Sequence, residues 1–421
     1  MKKSLKRVLL FGLMLTAFNF YAQSKRDFDN FRQPDKRGIN VFETPKDTIS
    51  TFDGLNVRIG GSFALQFQGL RHQNAGDVGL IDLGSNFNLP TANLDIDVAL
   101  ADGVSLNLRT YLSSRHHPEP YVKGGYLQID KLDFIKKGFM DNIMKYATIK
   151  IGHMENNYGD AHFRRTDNAQ GMYNPFVGNL IMDAFTTEVG AEVYYRRDGF
   201  IGMVGLTNGK LNQSVDSKGR PSNASFIAKL GYDKQLNDDL RVRLTGSVYN
   251  TGYVPGAYLY SGDRAGARYY HVMQSVDAGG DNFRSGRYDP GFKNSITAVM
   301  INPFLKYNGL EFFGTIERTS GKASAEIDRR IANQYAGELL YRFGPSENFY
   351  FGGRYNVVNN EEANGDDVKI SRGQIGAGWF MTKNILMKAE YVNQKYDGFL
   401  NTPNLNGGKF NGFMLEAVIS F

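Results

Sequence analysis

From Leu55 onward the chain alternates. Leu55, Val57, Ile59, Gly61, Phe63, Leu65 and Phe67 take one parity, and Asn56, Arg58, Gly60, Ser62, Ala64, Gln66 and Gln68 take the other. Successive side chains of a strand point to opposite faces, so this run is one strand with an apolar and a polar side. It is longer than the ordinary globular strand of about 5–6 residues. Ala92, Leu94, Ile96, Val98 and Leu100 repeat the pattern around Asn93, Asp95 and Asp97. Val104, Leu106, Leu108, Thr110 and Leu112 repeat it around Ser105, Asn107 and Arg109, and the intervening Ala101-Asp102-Gly103 predicts a hairpin. The same grammar predicts strands near 121–130, 147–153, 187–195, 199–208, 224–233, 240–249, 294–307, 310–319, 331–343, 349–358, 369–380, 385–395 and 410–421. The total is about sixteen. Phe134, Ile135, Phe139, Ile143 and Met144 predict a small helix within 131–146.

The connections alternate in length. Short ones fall at 101–103, 196–198, 235–239, 308–309, 344–348 and 381–384, and long ones at 71–91, 152–186, 209–223, 250–293, 320–330 and 396–409. Short and long therefore lie at opposite ends of the strands, as short periplasmic turns and longer external loops do in a membrane barrel. Aromatic residues crowd beside the short turns: Tyr194-Tyr195, Tyr307, Tyr341 with Phe343, Phe349-Tyr350-Phe351 and Trp379-Phe380. Amphipathic rings at headgroup level form the girdle of such barrels.

Residues 1–22 read as a secretory signal peptide. Lys2, Lys3, Lys6 and Arg7 precede the apolar run from Val8 to Phe20, with Ala22 at the cleavage point. No other stretch is long enough and free enough of charge to cross a bilayer as a helix, which leaves a closed barrel as the spanning form. Residues 23–53 are charged and without period, an N-terminal extension either periplasmic or tucked into the lumen. Residues 54–421 form the barrel. A mean hydropathy of −0.39 suits it, because lipid-facing and lumen-facing residues cancel. The chain has no cysteine, 48 glycines and 24 tyrosines, and a formal charge of +6. The leader holds four cations and no acid, so the mature chain lies near +2 and a nucleic-acid surface is not expected.

The expected fold is thus all-β, a transmembrane antiparallel up-and-down barrel of about sixteen strands. With its leader and its terminal strand closing on Phe421, the chain resembles bacterial outer-membrane porins. It looks most like the phosphate-selective porin O/P type found in Bacteroidetes and proteobacteria, with a local likeness in Ile149-Lys150-Ile151-Gly152-His153-Met154. The resemblance implies a water-filled channel for passive diffusion of small hydrophilic solutes, anions such as phosphate among them. It also implies outer-membrane lipid around the barrel, recognition of Phe421 by the barrel assembly machinery, a homotrimer, and a third loop folded inward as the constriction.

That loop is 152–186. Asp160, His162, Arg164, Arg165 and Asp167 are its candidate constriction residues, where guanidinium groups offer fixed donors to phosphate or carboxylate. The alternative is that the arginines pair with Asp160, Asp167 or wall carboxylates and pin the loop. By alternation Arg58, Arg109, Arg241, Arg243, Arg354 and Arg372 face the lumen as pore-wall candidates, beside Lys150, Lys229, Arg342 and Lys388. Asp95, Asp97, Glu192, Glu311, Glu317, Glu338, Glu390 and Glu416 face it too, so the wall is nearly neutral. His116-His117 and His153 with His162 sit in or beside loops, where solvated chemistry is the ordinary state; no metal or other cofactor is expected. No nucleophile motif appears, and a barrel phospholipase would need a Ser/His pair on the lipid face, so no enzyme is expected. The competing function is a closed barrel serving as surface receptor or adhesin through loop 250–293.

Deleting Phe421, or making Phe421→Asp, is expected to abolish assembly. The compact, heat-modifiable electrophoretic band of the membrane fraction then disappears. A frayed terminus of no consequence would leave that band unchanged.

Overall fold

The alternation becomes a ladder. The computed structural model describes residues 28–113, 117–165, 171–209, 223–262, 268–279 and 284–421, and the expected leader and Asp167 lie outside them. The strands are β1 (Asn56–Gln73), β2 (Asn86–Ala101), β3 (Val104–Ser113), β4 (His117–Ile129), β5 (Ala147–Glu155), β6 (Thr187–Arg197), β7 (Phe200–Thr207) and β8 (Ser225–Gln235). They continue as β9 (Leu240–Thr251), β10 (Ser295–Tyr307), β11 (Leu310–Lys322), β12 (Arg330–Phe343), β13 (Phe349–Glu361), β14 (Asp367–Thr382), β15 (Ile385–Asp397) and β16 (Lys409–Ser420). Each pairs antiparallel with its neighbours in sequence, and β1 pairs with β16 to close the barrel. Phe421 lies just past the last strand, but its N–H donates to Gly61 O at 3.0 Å and its carbonyl accepts from Gly61 N at 3.1 Å. A single turn of helix, Asp141–Met144, sits in the β4–β5 connection.

Several boundaries differ from expectation, among them both ends of the first long loop. β1 runs on to Gln73 and β2 begins at Asn86, so the loop expected at 71–91 shrinks to 74–85. Beyond Gly69 the outward positions turn polar, as at Arg71, and hydropathy stops alternating while the backbone pairing continues. Backbone hydrogen bonds hold a strand whether its outer face meets apolar or polar surroundings.

Outside and inside are inverted relative to a water-soluble protein. On β15 the side chains of Leu386, Lys388, Glu390, Val392, Gln394 and Tyr396 point inward and are buried, whereas Met387, Ala389 and Tyr391 face out. The exterior carries Leu230, Ile375, Phe200 and Phe413 at 65% exposure or more, a continuous apolar surface of a kind soluble monomers do not show. Near the short turns Tyr341, Phe343, Phe349 and Trp379 form a row, with Phe343–Phe349 centroids at 5.7 Å and Phe349–Trp379 at 6.2 Å. The β6–β7 turn shows why such turns are tight: Asp198 and Gly199 take φ of 53° and 91°, the positive pair that a two-residue hairpin matched to strand twist requires.

The lumen is largely filled, from both mouths. Residues 28–53 enter at the short-turn end: Lys36 N donates to Lys383 O at 2.9 Å, and Ser50 Oγ donates to Asp102 at 2.6 Å. The described residues of loop 156–186, the third on the long-loop side, fold inward along β8 to β16, and those of loop 252–294 pack beside them. Tyr158 and Tyr260, one from each loop, both donate to Glu317 on β11, at 3.0 and 2.8 Å. Asp160 is the deepest pin. Wholly buried, its carboxylate accepts from Arg243 Nε at 2.8 Å, Arg243 NH2 at 2.9 Å, Lys229 at 3.0 Å and Thr245 at 2.7 Å. Arg243 also reaches Glu43 of the N-terminal segment at 2.8 Å, so one guanidinium joins wall, loop and extension.

Burial alone would raise the Glu43 carboxyl, but the Arg243 and Lys229 charges outweigh it and bring it down to about 2 from an ordinary 4.5. Asp160 is held below the usual carboxylate range by the same contest, burial opposed by Arg243 and Lys229. Groups depressed in the folded state stabilise it fully above their unfolded values and cease to do so as pH falls through the folded ones. Thermal unfolding in detergent is therefore expected to weaken progressively between pH 4.5 and about 2. Asp160→Ala leaves the buried Arg243 and Lys229 with Glu43 as their shared carboxylate and is expected to cost about 3 kcal/mol, measured as a lower heat-modification temperature at neutral pH. The pH dependence below 4.5 should shrink in the same variant.

Candidate functional site

The inner loops do not cover the whole wall. A cavity of about 180 Å³ remains between β2 to β6 on one side and the N-terminal segment with the start and middle of loop 156–186 on the other. Asp95 and Asp97 reach it from β2, Arg109 from β3, Tyr126 from β4, Lys150 and His153 from β5, and Tyr194 and Arg196 from β6. Phe31, Arg32, Glu43 and Thr44 face them from the extension, and His162, Phe163 and Tyr173 from the loop. Alternation explains the wall side. Every second residue of these strands is polar or a tyrosine, and that parity points inward.

The charges of the cavity fall into two groups. Some are neutralised locally: Arg58 pairs with Asp97 at 2.7 Å, Arg109 pairs with Asp95, and His162 Nδ1 lies 2.6 Å from Glu155. Among the described residues, Arg32, Lys150 and Arg196 have no carboxylate within ion-pair distance. Arg32 donates to the carbonyls of Gly38 at 3.1 Å and Phe163 at 3.0 Å, with its guanidinium 3.7 Å over the Tyr173 ring. Lys150 donates to Thr44 Oγ1 at 3.1 Å and stands over the rings of Tyr126 and Tyr194, at 5.2 and 5.5 Å. Arg196 reaches Thr44 O and Thr148. Carbonyls, hydroxyls and ring faces orient these groups without an ion pair, and the acids that act on them from further off are Glu155 and Glu43 for Arg32 and Glu43 and Asp130 for Arg196.

The residues expected at the constriction separate. His162, Arg58 and Arg109 line the cavity. Arg164 does not: it is buried against Glu311 at 2.7 Å and Glu338 at 3.2 Å. Arg165 forks onto Asp183 at 3.0 and 2.6 Å, with its plane over Phe185. Asp160 is the pin described above. Of the wall candidates, Arg241 pairs with Asp233 at 2.7 Å and Arg354 with Glu338 at 2.8 Å. Arg243 belongs to the Asp160 cluster, and Arg372 donates to Asn179 O at 2.6 Å and to Gly286 O. None of the four lines the cavity; Arg241 is met by the extension at Asn40 O, 3.0 Å, and the other three by the inner loops. Alternation tells which residues face the lumen but not which sector the loops will cover. Arg32 and Arg196 escaped notice because one lies in the aperiodic extension and the other at a strand end, assigned to a turn. Arg32 had one legible signal, its place between Phe31 and Pro34 in a segment otherwise dense in charge.

No family model matches the chain, and no curated relative does. Among solved structures, an anion-selective porin from Comamonas acidovorans is similar at a TM-score of 0.54 and 12% identity, covering 87% of this chain and 100% of that one. The outer membrane channel DcaP of Acinetobacter baumannii is similar at 0.52 and 12%, covering 89% and 99%. OprB of Pseudomonas putida is similar at 0.51 and 11%, covering 87% and 94%. At such identity the likeness is one of backbone, and what this chain shares with these proteins is the closed barrel fold.

Proposed function

We propose that the protein is an outer-membrane porin, a passive channel for small hydrophilic solutes with a preference for anions. The observation that carries this reading is the uneven filling of the lumen. The inner loops press on β8 to β16 and leave a polar cavity along β2 to β6, where Arg32, Lys150 and Arg196 stand without carboxylate partners. Fixed charge in a narrow, low-dielectric passage governs which ion enters, because screening there is weaker than in bulk. The apolar exterior and its aromatic row suit a bilayer rather than water. The names of the similar structures, an anion-selective porin and a channel, point the same way. Phosphate as the preferred solute and a homotrimer rest on the sequence resemblance alone.

A second reading, a closed barrel acting as a surface receptor, draws on the depth of the filling. The N-terminal segment and two loops occupy the lumen together, and the remaining cavity is about 180 Å³. Conductance separates the two.

Reconstituted in a planar bilayer, the protein is expected to conduct, and its reversal potential across a potassium chloride gradient should lie on the anion side. Arg32→Glu combined with Lys150→Glu should move it toward cations while the barrel stays folded. Arg164→Ala with Arg165→Ala should leave the sign of selectivity unchanged, because neither guanidinium reaches the cavity. Absence of any conductance from folded protein would overturn the channel reading in favour of the receptor.

A further inference from the structure

The connection between β4 and β5 is unlike its neighbours. The other turns at that end of the barrel run two to five residues, whereas this one takes seventeen, 130–146. A two-residue loop is enough to join antiparallel strands. Both ends of the segment are tied to the rim: Asp130 N donates to Gly103 O at 2.6 Å, and Arg196 N donates to Tyr146 O at 2.9 Å. Between them Phe134, Ile135, Phe139, Met140 and Ile143 are 39% to 59% exposed. So many large apolar side chains on one short segment make a contact surface, not scattered exposure.

The segment lies against the outer wall, not over the lumen. Ile129 shares the outward parity of its register partners Val104 and Ile149, yet it is buried. Met144 covers it, in one cluster with Ala147, and Leu132 packs alongside. The exposed side chains of the segment thus extend the apolar exterior past the ends of the strands. Charge is arranged around them. Lys136, Lys137 and Lys145 are exposed, with Asp141 as the exposed acid of the segment. Asp133 is turned back onto Gly138 N at 2.8 Å, and Lys131 pairs with Asp102 at 2.7 Å. Lys145 and, from the next turn, Arg197 stand over the ring of Tyr146 at 4.9 and 5.0 Å, and that ring meets Tyr195 at 5.7 Å.

We propose that residues 131–146 form an interfacial anchor, seated in the phospholipid leaflet at the short-turn end and selective for anionic headgroups. Apolar side chains bordered by lysines and tyrosines match the boundary between acyl chains and phosphates, where a lysine keeps its stem in the apolar layer and its ammonium among the headgroups. Each such cation adds attraction to an anionic surface. A second copy of the chain fits less well, because a contact of this face with itself would bring Lys136, Lys137 and Lys145 against their own counterparts. The inference rests on the barrel standing in a bilayer but not on conduction, since a closed receptor would carry the same anchor.

The chain has no cysteine, so a single label can be placed at will. Full-length Phe139→Cys, carrying an environment-sensitive fluorophore and reconstituted into phosphatidylcholine vesicles, should be quenched by lipids brominated high on the acyl chain. The same label at Asp238→Cys, in the β8–β9 turn, should be quenched by iodide supplied on both sides of the vesicle. At equal mole fraction, brominated phosphatidylglycerol should quench the label at 139 more than brominated phosphatidylcholine does. Lys136→Gln with Lys137→Gln and Lys145→Gln should abolish that excess. The anchor is overturned if the label at 139 is open to iodide and untouched by brominated lipid. It is overturned in favour of a second copy if protection appears only at high protein-to-lipid ratio, and in favour of a periplasmic protein if it appears only in native membranes. Equal quenching by the two lipids in the otherwise unchanged chain would overturn the selectivity for anionic headgroups. The heat-modifiable band reports folding, and Ile143→Cys carries the same measurement should Phe139→Cys fail to assemble.

Discussion

Register pairs running from Ser62–Ser420 to Gln73–Lys409 join the first strand to the last, and nearly every other feature of the molecule presupposes them. A sixteen-strand sheet left open would present two edges of unpaired N–H and C=O groups, and in an apolar surrounding those groups have no alternative partner. Closure removes both edges. It also converts a simple parity in the sequence into an inside and an outside. Once β1 meets β16 in this register, Gln66 faces Glu416 and Gln68 faces Met414 in the lumen, while Leu65, Phe67, Phe413 and Leu415 share the outer surface. A slip of one residue would exchange the two faces along the seam.

Closure creates a second problem, an interior lined with charge, and the inner segments resolve it. Lys229 and Arg243 of the wall meet Asp160 of one loop and Glu43 of the extension. Glu311 and Glu338 of the wall meet Arg164 of the same loop. Neither the wall nor the loops would be neutral alone. Matching of buried charges, each satisfied by forked or multiple hydrogen bonds, is what makes such pairs tolerable in a low-dielectric interior. The result is a sector of dense ion pairs and a second sector, along β2 to β6, where Asp95 and Asp97 still pair with Arg109 and Arg58 but carbonyls, hydroxyls and ring faces hold Arg32, Lys150 and Arg196.

The barrel was legible because its grammar is local. Alternation at Val104 to Leu112, Asp102-Gly103 between two such runs, and the parity of long and short connections each need only neighbouring residues to be read. Strand ends were less so, since the ladder of β1 outlasts the apolar parity that announced it, from Leu70 to Gln73. The site was legible only by half. Arg58 and Arg109 could be assigned to the lumen from spacing, but whether Arg164 turns to a channel or to Glu311 depends on two strands more than a hundred residues away. Pairings of that kind leave no mark in the spacing of either partner. Arg32 is the extreme case, a residue in a segment with no period at all, placed by contacts with Gly38, Phe163 and Tyr173.

The N-terminal segment begins and ends near the same turn. Asp29 accepts from Thr51 at 2.7 Å, and Asn30 and Asp47 are joined by reciprocal hydrogen bonds. Between these clasped ends the chain travels to Asn348 near the β13–β14 side, to Glu311 on β11, to Arg243 on β9 and to Asp130 beyond β4 before it returns. It is a hoop laid inside the rim. A cylinder of strands resists sliding of its strands, which would break the ladder, but yields more readily to flattening, because bending between neighbours keeps their hydrogen bonds. A hoop tied to opposite walls restrains that soft mode at one mouth, as the inner loops tied to Glu317 and Gln68 do from the other. The short-turn rim is thereby held to one cross-section by a segment that contributes no strand to it.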